Sequence, residues 1–208
     1  MLCCAALAQA GELPMTLFEM AGAKQEAVKL SNSVLIIIDA QREYVDGALP
    51  LVGADSAILD ISRLLARARK TGTPVIHIVH KGGRGLFNPE GEYFQIVPAL
   101  QPLANEPVIE KMRVSSFAGT GLEEAIKRTG RKQLIIVGFM THNCVSSTAR
   151  TARDLGYEVS VVAAATATRN LPDGNGGVIS AAVLQAASLA ALADRNARLV
   201  KQGDDVQE

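Results

Sequence analysis

Ser33-Val34-Leu35-Ile36-Ile37-Ile38-Asp39 is apolar on both of its alternating faces and then stops at a carboxylate. A strand reads this way only when helices cover the sheet on both sides, because each face of the pleat must then be buried. The run is therefore predicted to be a central first strand. Downstream, residues 54–70 carry apolar side chains at helical spacing (Ile58, Ile61, Leu64, Leu65), with Gly72 just beyond the end. The same alternation continues to the end of the chain. Strands are expected over 74–80, 107–111, 133–137, 157–163 and 197–201, and helices over 121–128, 143–155 and 178–194. Residues 81–91 are Gly-rich and polar and read as a loop.

Strands alternating with helices imply right-handed crossovers and a largely parallel sheet. The expected architecture is one α/β domain, a three-layer α/β/α sandwich with a mainly parallel six-stranded sheet over residues 31–208, preceded by an N-terminal extension over 1–30. The chain has 208 residues and no Pro/Ser-rich linker or charge block, which suits a single domain. At this length burial of roughly 70% of the unfolded surface supplies a core without disulfides or a structural metal.

Composition narrows the function. Twenty-one Lys+Arg balance twenty-one Asp+Glu, so no net field attracts nucleic acid or an anionic membrane. Aromatic residues are 4% of the chain and Trp is absent, which leaves little for base stacking. A small-molecule substrate is expected, with no nucleic-acid or membrane partner. Three cysteines, two of them adjacent at Cys3 and Cys4, do not form a disulfide framework and fit a reducing cytoplasm. The opening MLCCAALAQA lacks the basic start of a secretory signal, and residues 1–14 read as a loose extension or an over-called start ahead of Met15.

In parallel sheets ligands sit outside the carboxyl ends of the strands. Asp39 ends the first strand and opens a D-x-Q-x-x-Y pattern with Gln41 and Tyr44; Lys111 ends the third; Cys144 follows the fourth and opens the next helix. Each has a bland reading alone: a turn cap, a surface lysine, an inert buried thiol. Together they supply a proton acceptor, a cation and a nucleophile at one edge. A thiol at a helix start is also expected to favour the thiolate. His77 and His80, three apart on a strand, point to opposite faces and read as structural or loop-packing residues, not as a zinc site. His142 lies in the turn before Cys144, where it touches substrate or caps backbone. The loop 81–93, with Arg84, Leu86, Phe87 and Tyr93, is expected to cover the pocket.

The segments VLIIIDAQREY (34–44), VIEKMRVSSFAGTGLEE (108–124) and LIIVGFMTHNCVSSTARTARDLGY (134–157) together resemble the isochorismatase-like cysteine hydrolases, over about residues 33–201. The resemblance implies an Asp-Lys-Cys triad of Asp39, Lys111 and Cys144. It further implies a cis peptide joining Phe139 to Met140, an oxyanion hole from the N–H groups of Met140 and Cys144, and a pocket lined by Gln41, Tyr44 and Phe117, with His142 nearby. Amide hydrolysis through a thioester is the implied chemistry, without a cofactor, in a homodimer or larger assembly. Vinyl-ether hydrolysis on the same fold, or a binding protein without turnover, are the alternatives. The Asp-x-His metal pattern of nicotinamidases has no counterpart in 44–50, where an Asp occurs without a His, so no metal is expected. Ala163 and Ala164 stand where many relatives carry an acid. The Ala-rich stretch 180–193 permits close helix packing within the domain or across an interface.

Overall fold

A computed structural model describes residues 13–23 and 26–208. Cys3, Cys4 and most of the stretch read as a loose extension lie outside the described residues. In chain order the strands are β1 (Ser33–Ile38), β2 (Val75–His80), β3 (Val108–Lys111), β4 (Gln133–Phe139), β5 (Glu158–Ala167), β6 (Leu171–Pro172), β7 (Val178–Ile179) and β8 (Arg198–Val200). The helices are α1 (Leu17–Met20), α2 (Ala54–Lys70), α3 (Leu122–Arg128), α4 (Ser146–Asp154) and α5 (Ala181–Arg195). Six strands form one sheet in the order β3-β2-β1-β4-β5-β8, and every neighbouring pair is parallel. β6 and β7 make a separate antiparallel hairpin.

All six residues of β1 are buried. Leu35 and Ile37 pack with Ile61, Leu64 and Leu65 of α2 on one face, while Val34, Ile36 and Ile38 pack with Leu122, Ile126, Ala149 and Leu192 of α3, α4 and α5 on the other. The three-layer sandwich is thus set by the doubly apolar pattern of β1. Each such side chain contributes about 1.5–3 kcal/mol on burial.

The chain runs outward from β1 through β2 to β3, then returns to lay down β4 beside β1. Adjacent strands whose connections leave in opposite directions open a crevice at their carboxyl ends, here between β1 and β4. Register brings the reactive ends level: Ile38 pairs with Ile78 and with Gly138, and His80 pairs with Lys111.

Three elements differ from the sequence expectation. β5 continues to Ala167 because it bulges: β4 advances two residues, from Ile136 to Gly138, while β5 advances five, from Val161 to Thr166. Within the bulge Val162 pairs with Val200, and Ala164 N–H donates to Lys201 O at 3.0 Å. A π-helical turn over Thr141–Val145 stands between β4 and α4, so Cys144 precedes the α-helix. The expected helix from 178 starts only at Ala181, where the Ser180 hydroxyl caps it, because Val178–Ile179 pair with β6. Near the N-terminus, Thr16 and Glu19 form a capping box on α1, and Leu17 N–H donates to Asp194 of α5 at 2.9 Å.

Gly138 is required by its surroundings. Its φ is 108°, and a Cβ there would lie 2.0 Å from Ile38 O. Gly138→Ala should therefore cost more than about 2 kcal/mol, through strain and displacement of β1. A urea-unfolding midpoint unchanged from the parent protein would contradict this.

Candidate active site

Asp39 sits one residue past β1 in a left-handed conformation, φ 49°, and is fully buried. The turn is held by Asp39 N–H donating to Ile78 O at 2.9 Å and Gln41 N–H donating to Asp39 O at 2.8 Å. Burial pushes the carboxyl pKa up, and the adjoining Lys111 charge only partly offsets it.

Lys111, expected from base rates to be a surface residue, is instead 1% exposed. Four acceptors surround its ammonium: Asp39 Oδ2 at 2.8 Å, His80 Nδ1 at 3.0 Å, Arg113 O at 3.1 Å and Cys144 Sγ at 3.2 Å. A buried cation without such partners would not stay charged. The contact to Asp39 lies off the hydrogen-bond direction, so neither carboxylate oxygen has a well-aligned donor. That leaves the carboxylate open as a proton acceptor.

Cys144 is 3% exposed, and burial, reinforced by the Asp39 charge, pushes its thiol up to about 12 against the pull of Lys111. The expectation of a thiolate favoured by a helix start is corrected here. Cys144 lies in the π-helical turn ahead of α4, and desolvation outweighs any pull from the helix end. At rest the proton belongs on sulfur.

The residue that sequence reasoning passed over is His80. It extends β2 to the level of Lys111, and its Nδ1 accepts from the ammonium. Spacing alone already placed it opposite His77; what was missing was which face led to the cluster. His77 takes the structural role expected of both, its Nε2 lying 3.1 Å from Glu106, which Arg69 also pairs at 2.8 Å. The donor atoms of Asp39, His80 and Cys144 lie within 4.8 Å of one another, a grouping able to hold a transition metal. Lys111 Nζ stands among all three, so the donor set already encloses a cation and a divalent ion would meet its repulsion.

The remaining candidates separate. Gln41 is fully buried and spends its amide on backbone: Oε1 accepts from His80 N–H at 2.7 Å, and Nε2 donates to His80 O at 3.1 Å and Phe94 O at 2.9 Å. It clips His80 in place. The buried Tyr44 ring packs edge-on against Phe87 at 4.9 Å and Phe139 at 5.9 Å, and its hydroxyl makes no hydrogen bond among the described residues. Phe87 also meets the His80 ring at 5.1 Å, and its N–H donates to the buried carboxylate of Glu43 at 3.1 Å. The expected covering loop is therefore anchored by Phe87, with Leu86 and Tyr93 more exposed. His142 lies in the turn, half-buried, its Nδ1 2.5 Å from Thr168 Oγ1. Met140 is buried, and the Phe139–Met140 peptide is cis. Phe117 is not brought to the cluster: it stacks on Tyr157 at 6.2 Å, at the amino end of β5, because the loop after Lys111 turns back over the α4 side of the sheet. Two cavities of about 350 and 450 Å³ open along the amino edge of the sheet and include none of the cluster, which Phe87 and its loop cover.

The isochorismatase domain model matches residues 33–202. The secreted isochorismatase effector Isc1 of Verticillium dahliae is 35% identical, over 89% of this chain and 96% of its own length. The ureidoacrylate amidohydrolase RutB of Acinetobacter baylyi is 30% identical, over 65% of this chain and 71% of its own. Among solved structures, an isochorismatase from Pseudomonas putida is 44% identical with a TM-score of 0.87, over 90% of this chain and 97% of that one. No described helix is long and apolar enough to cross a membrane.

Burial, with the Lys111 charge adding to it, pushes His80 down from 6.5 to about 4. The unfolded chain therefore takes up a proton that the folded site refuses, so stability is whole above about pH 6.5 and is lost as pH falls through about 4. Asp39 acts with the opposite sign but equally in parent and variant. The difference between parent and His80→Gln should thus show a flatter fall in urea midpoint across this window for the variant; parallel curves would contradict it.

Proposed function

The chain belongs to the isochorismatase family, and from that premise we propose that it is a cysteine-dependent hydrolase of a small amide, working through a thioester. The observation that carries this is the buried ammonium of Lys111, 2.8 Å from Asp39 and 3.2 Å from Cys144. It lets the acid and the thiol exchange a proton without either charge standing alone in a dry site.

In the proposed reaction Asp39 takes the thiol proton as Cys144 Sγ bonds to the carbonyl carbon. Lys111 keeps the new negative charge on sulfur and the carboxylate in balance. The N–H groups of Met140 and Cys144 receive the oxyanion. Protonated Asp39 then returns the proton to the leaving nitrogen, the C–N bond breaks, and ammonia or an amine departs. Water attacks the thioester with Asp39 as base, and the acid product leaves as the Cys144 thiol re-forms. No cofactor is drawn into these steps. His80, fixed by Gln41, positions Lys111, while Tyr44 and His142 border the pocket. RutB, by its name an amidohydrolase, supports the same bond class. Vinyl-ether hydrolysis would run on Asp39 as acid and leave Cys144 without a task. A free thiol as nucleophile suits a reducing compartment, and an assembly of two or more subunits fits the reading.

An ammonia-release screen over small amides, ureas and carbamoyl compounds tests the activity. Cys144→Ala should remain folded and lose at least about 10³-fold in kcat, and Asp39→Asn should do likewise; full turnover by purified Cys144→Ala protein would sink the reading. A thiol whose proton is held at about 12 should also react slowly with iodoacetamide at neutral pH and speed up as pH rises. Rapid, pH-independent alkylation of Cys144 would show that the resting proton has been misplaced.

A further inference from the structure

Arg169 lies two residues beyond the carboxyl end of β5 and is held from both sides. Thr168 bonds His142 through its hydroxyl at 2.5 Å and accepts from Val52 N–H through its carbonyl at 3.0 Å; the Asn170 side chain accepts from Ala181 N–H at 2.7 Å. The guanidinium between them is under-used. Its Nε is buried with no partner, and its hydrogen bond among the described residues is a long one, 3.3 Å from Nη1 to Asn170 O. Arg42, Arg63, Arg67 and Arg69 each have a carboxylate beside them. Among the described residues Arg169 has none. A buried N–H left unpaired costs about 1–3 kcal/mol, so its retention calls for a reason.

Location supplies one. Burial and the charges of Asp39 and Cys144 push the Tyr44 phenol up, and Arg169 pulls it back; burial lowers the His142 ring, and Arg169 lowers it further. Arg169 and the reacting pair thus act on the same phenol from within one pocket. Lys111 is committed to its four acceptors, which leaves Arg169 as the cation with donors to offer. Arg meets a carboxylate with parallel, charge-assisted hydrogen bonds that a neutral group does not match.

We propose that Arg169 anchors a carboxylate carried by the substrate, so that the amide cleaved at Cys144 belongs to a short amido acid or carbamoyl acid. This rests on the hydrolase reading above. The substrate would lie with its anionic end on Arg169, beside Tyr44 and His142, and its carbonyl carbon at Cys144 Sγ.

The test compares malonamate and succinamate, which carry a carboxylate, with propionamide and butyramide, which do not. Wild-type protein should prefer the better acid over its neutral counterpart by about 10²-fold in kcat/KM, mostly through KM. Arg169→Gln should bring that ratio near one, and Arg169→Lys should restore part of it. Because misfolding lowers both rates together, the ratio reads the anchor and not the stability of the variant; a ratio unmoved in Arg169→Gln overturns the proposal. Titration calorimetry of both amido acids on Cys144→Ala protein separates the two readings. Binding that disappears in Cys144→Ala/Arg169→Gln, with no amide turned over by the wild type, upholds the anchor and discards the hydrolase. Wild-type protein that neither binds nor cleaves either acid in preference to its neutral partner overturns the anchor.

Discussion

A buried ammonium must be surrounded by acceptors, and the site of this protein is organised around that requirement. Lys111 draws Asp39 from the end of β1, His80 from the end of β2, Arg113 O from its own loop and Cys144 from the turn after β4. None of these segments is near the others in sequence. They meet because parallel register sets the strand ends level, with Ile38 opposite both Ile78 and Gly138. The same contact explains the empty lone pairs on Asp39: the cation neutralises the carboxylate without occupying it along the hydrogen-bond direction.

Desolvation works in both directions at such a site. It raises the Asp39 carboxyl and the Cys144 thiol together, so the resting proton stays on sulfur while the acceptor gains basicity. It also strengthens the attraction of Lys111 for whichever partner is negative. The cover over the cluster maintains this state. Phe87 packs on Tyr44 and His80, and Glu43 fixes its backbone, so a loop that looks polar in sequence is pinned by one aromatic ring and one buried carboxylate. Gln41 serves the same end by clipping the His80 backbone to the Phe94 carbonyl.

The elements legible in the sequence were those with a strong local pattern. The doubly apolar β1 and the helical spacing of α2 both appear with the bounds that their periodicity implies, because burial on two faces or on one stripe is written into consecutive residues. Where local pattern was weak, neighbours decided. The bulge in β5 arises from serving β4 and β8 at once, and the π-helical turn from fitting the chain between β4 and α4. Phe117 looked like site lining only because it follows Lys111 closely in sequence; its loop carries it to Tyr157 instead.

By itself, the sequence determined the layered architecture, the carboxyl edge on which chemistry would stand, and the three residue types that meet there. These follow from periodicity and strand ends, which are properties of short stretches. Only the tertiary structure decided that His80 belongs with them while His77 does not, that Cys144 rests protonated, and that Arg169 is left with an unpaired donor near Tyr44 and His142. Those outcomes depend on desolvation and on distances between segments tens of residues apart, and neither quantity exists until the strands are in register.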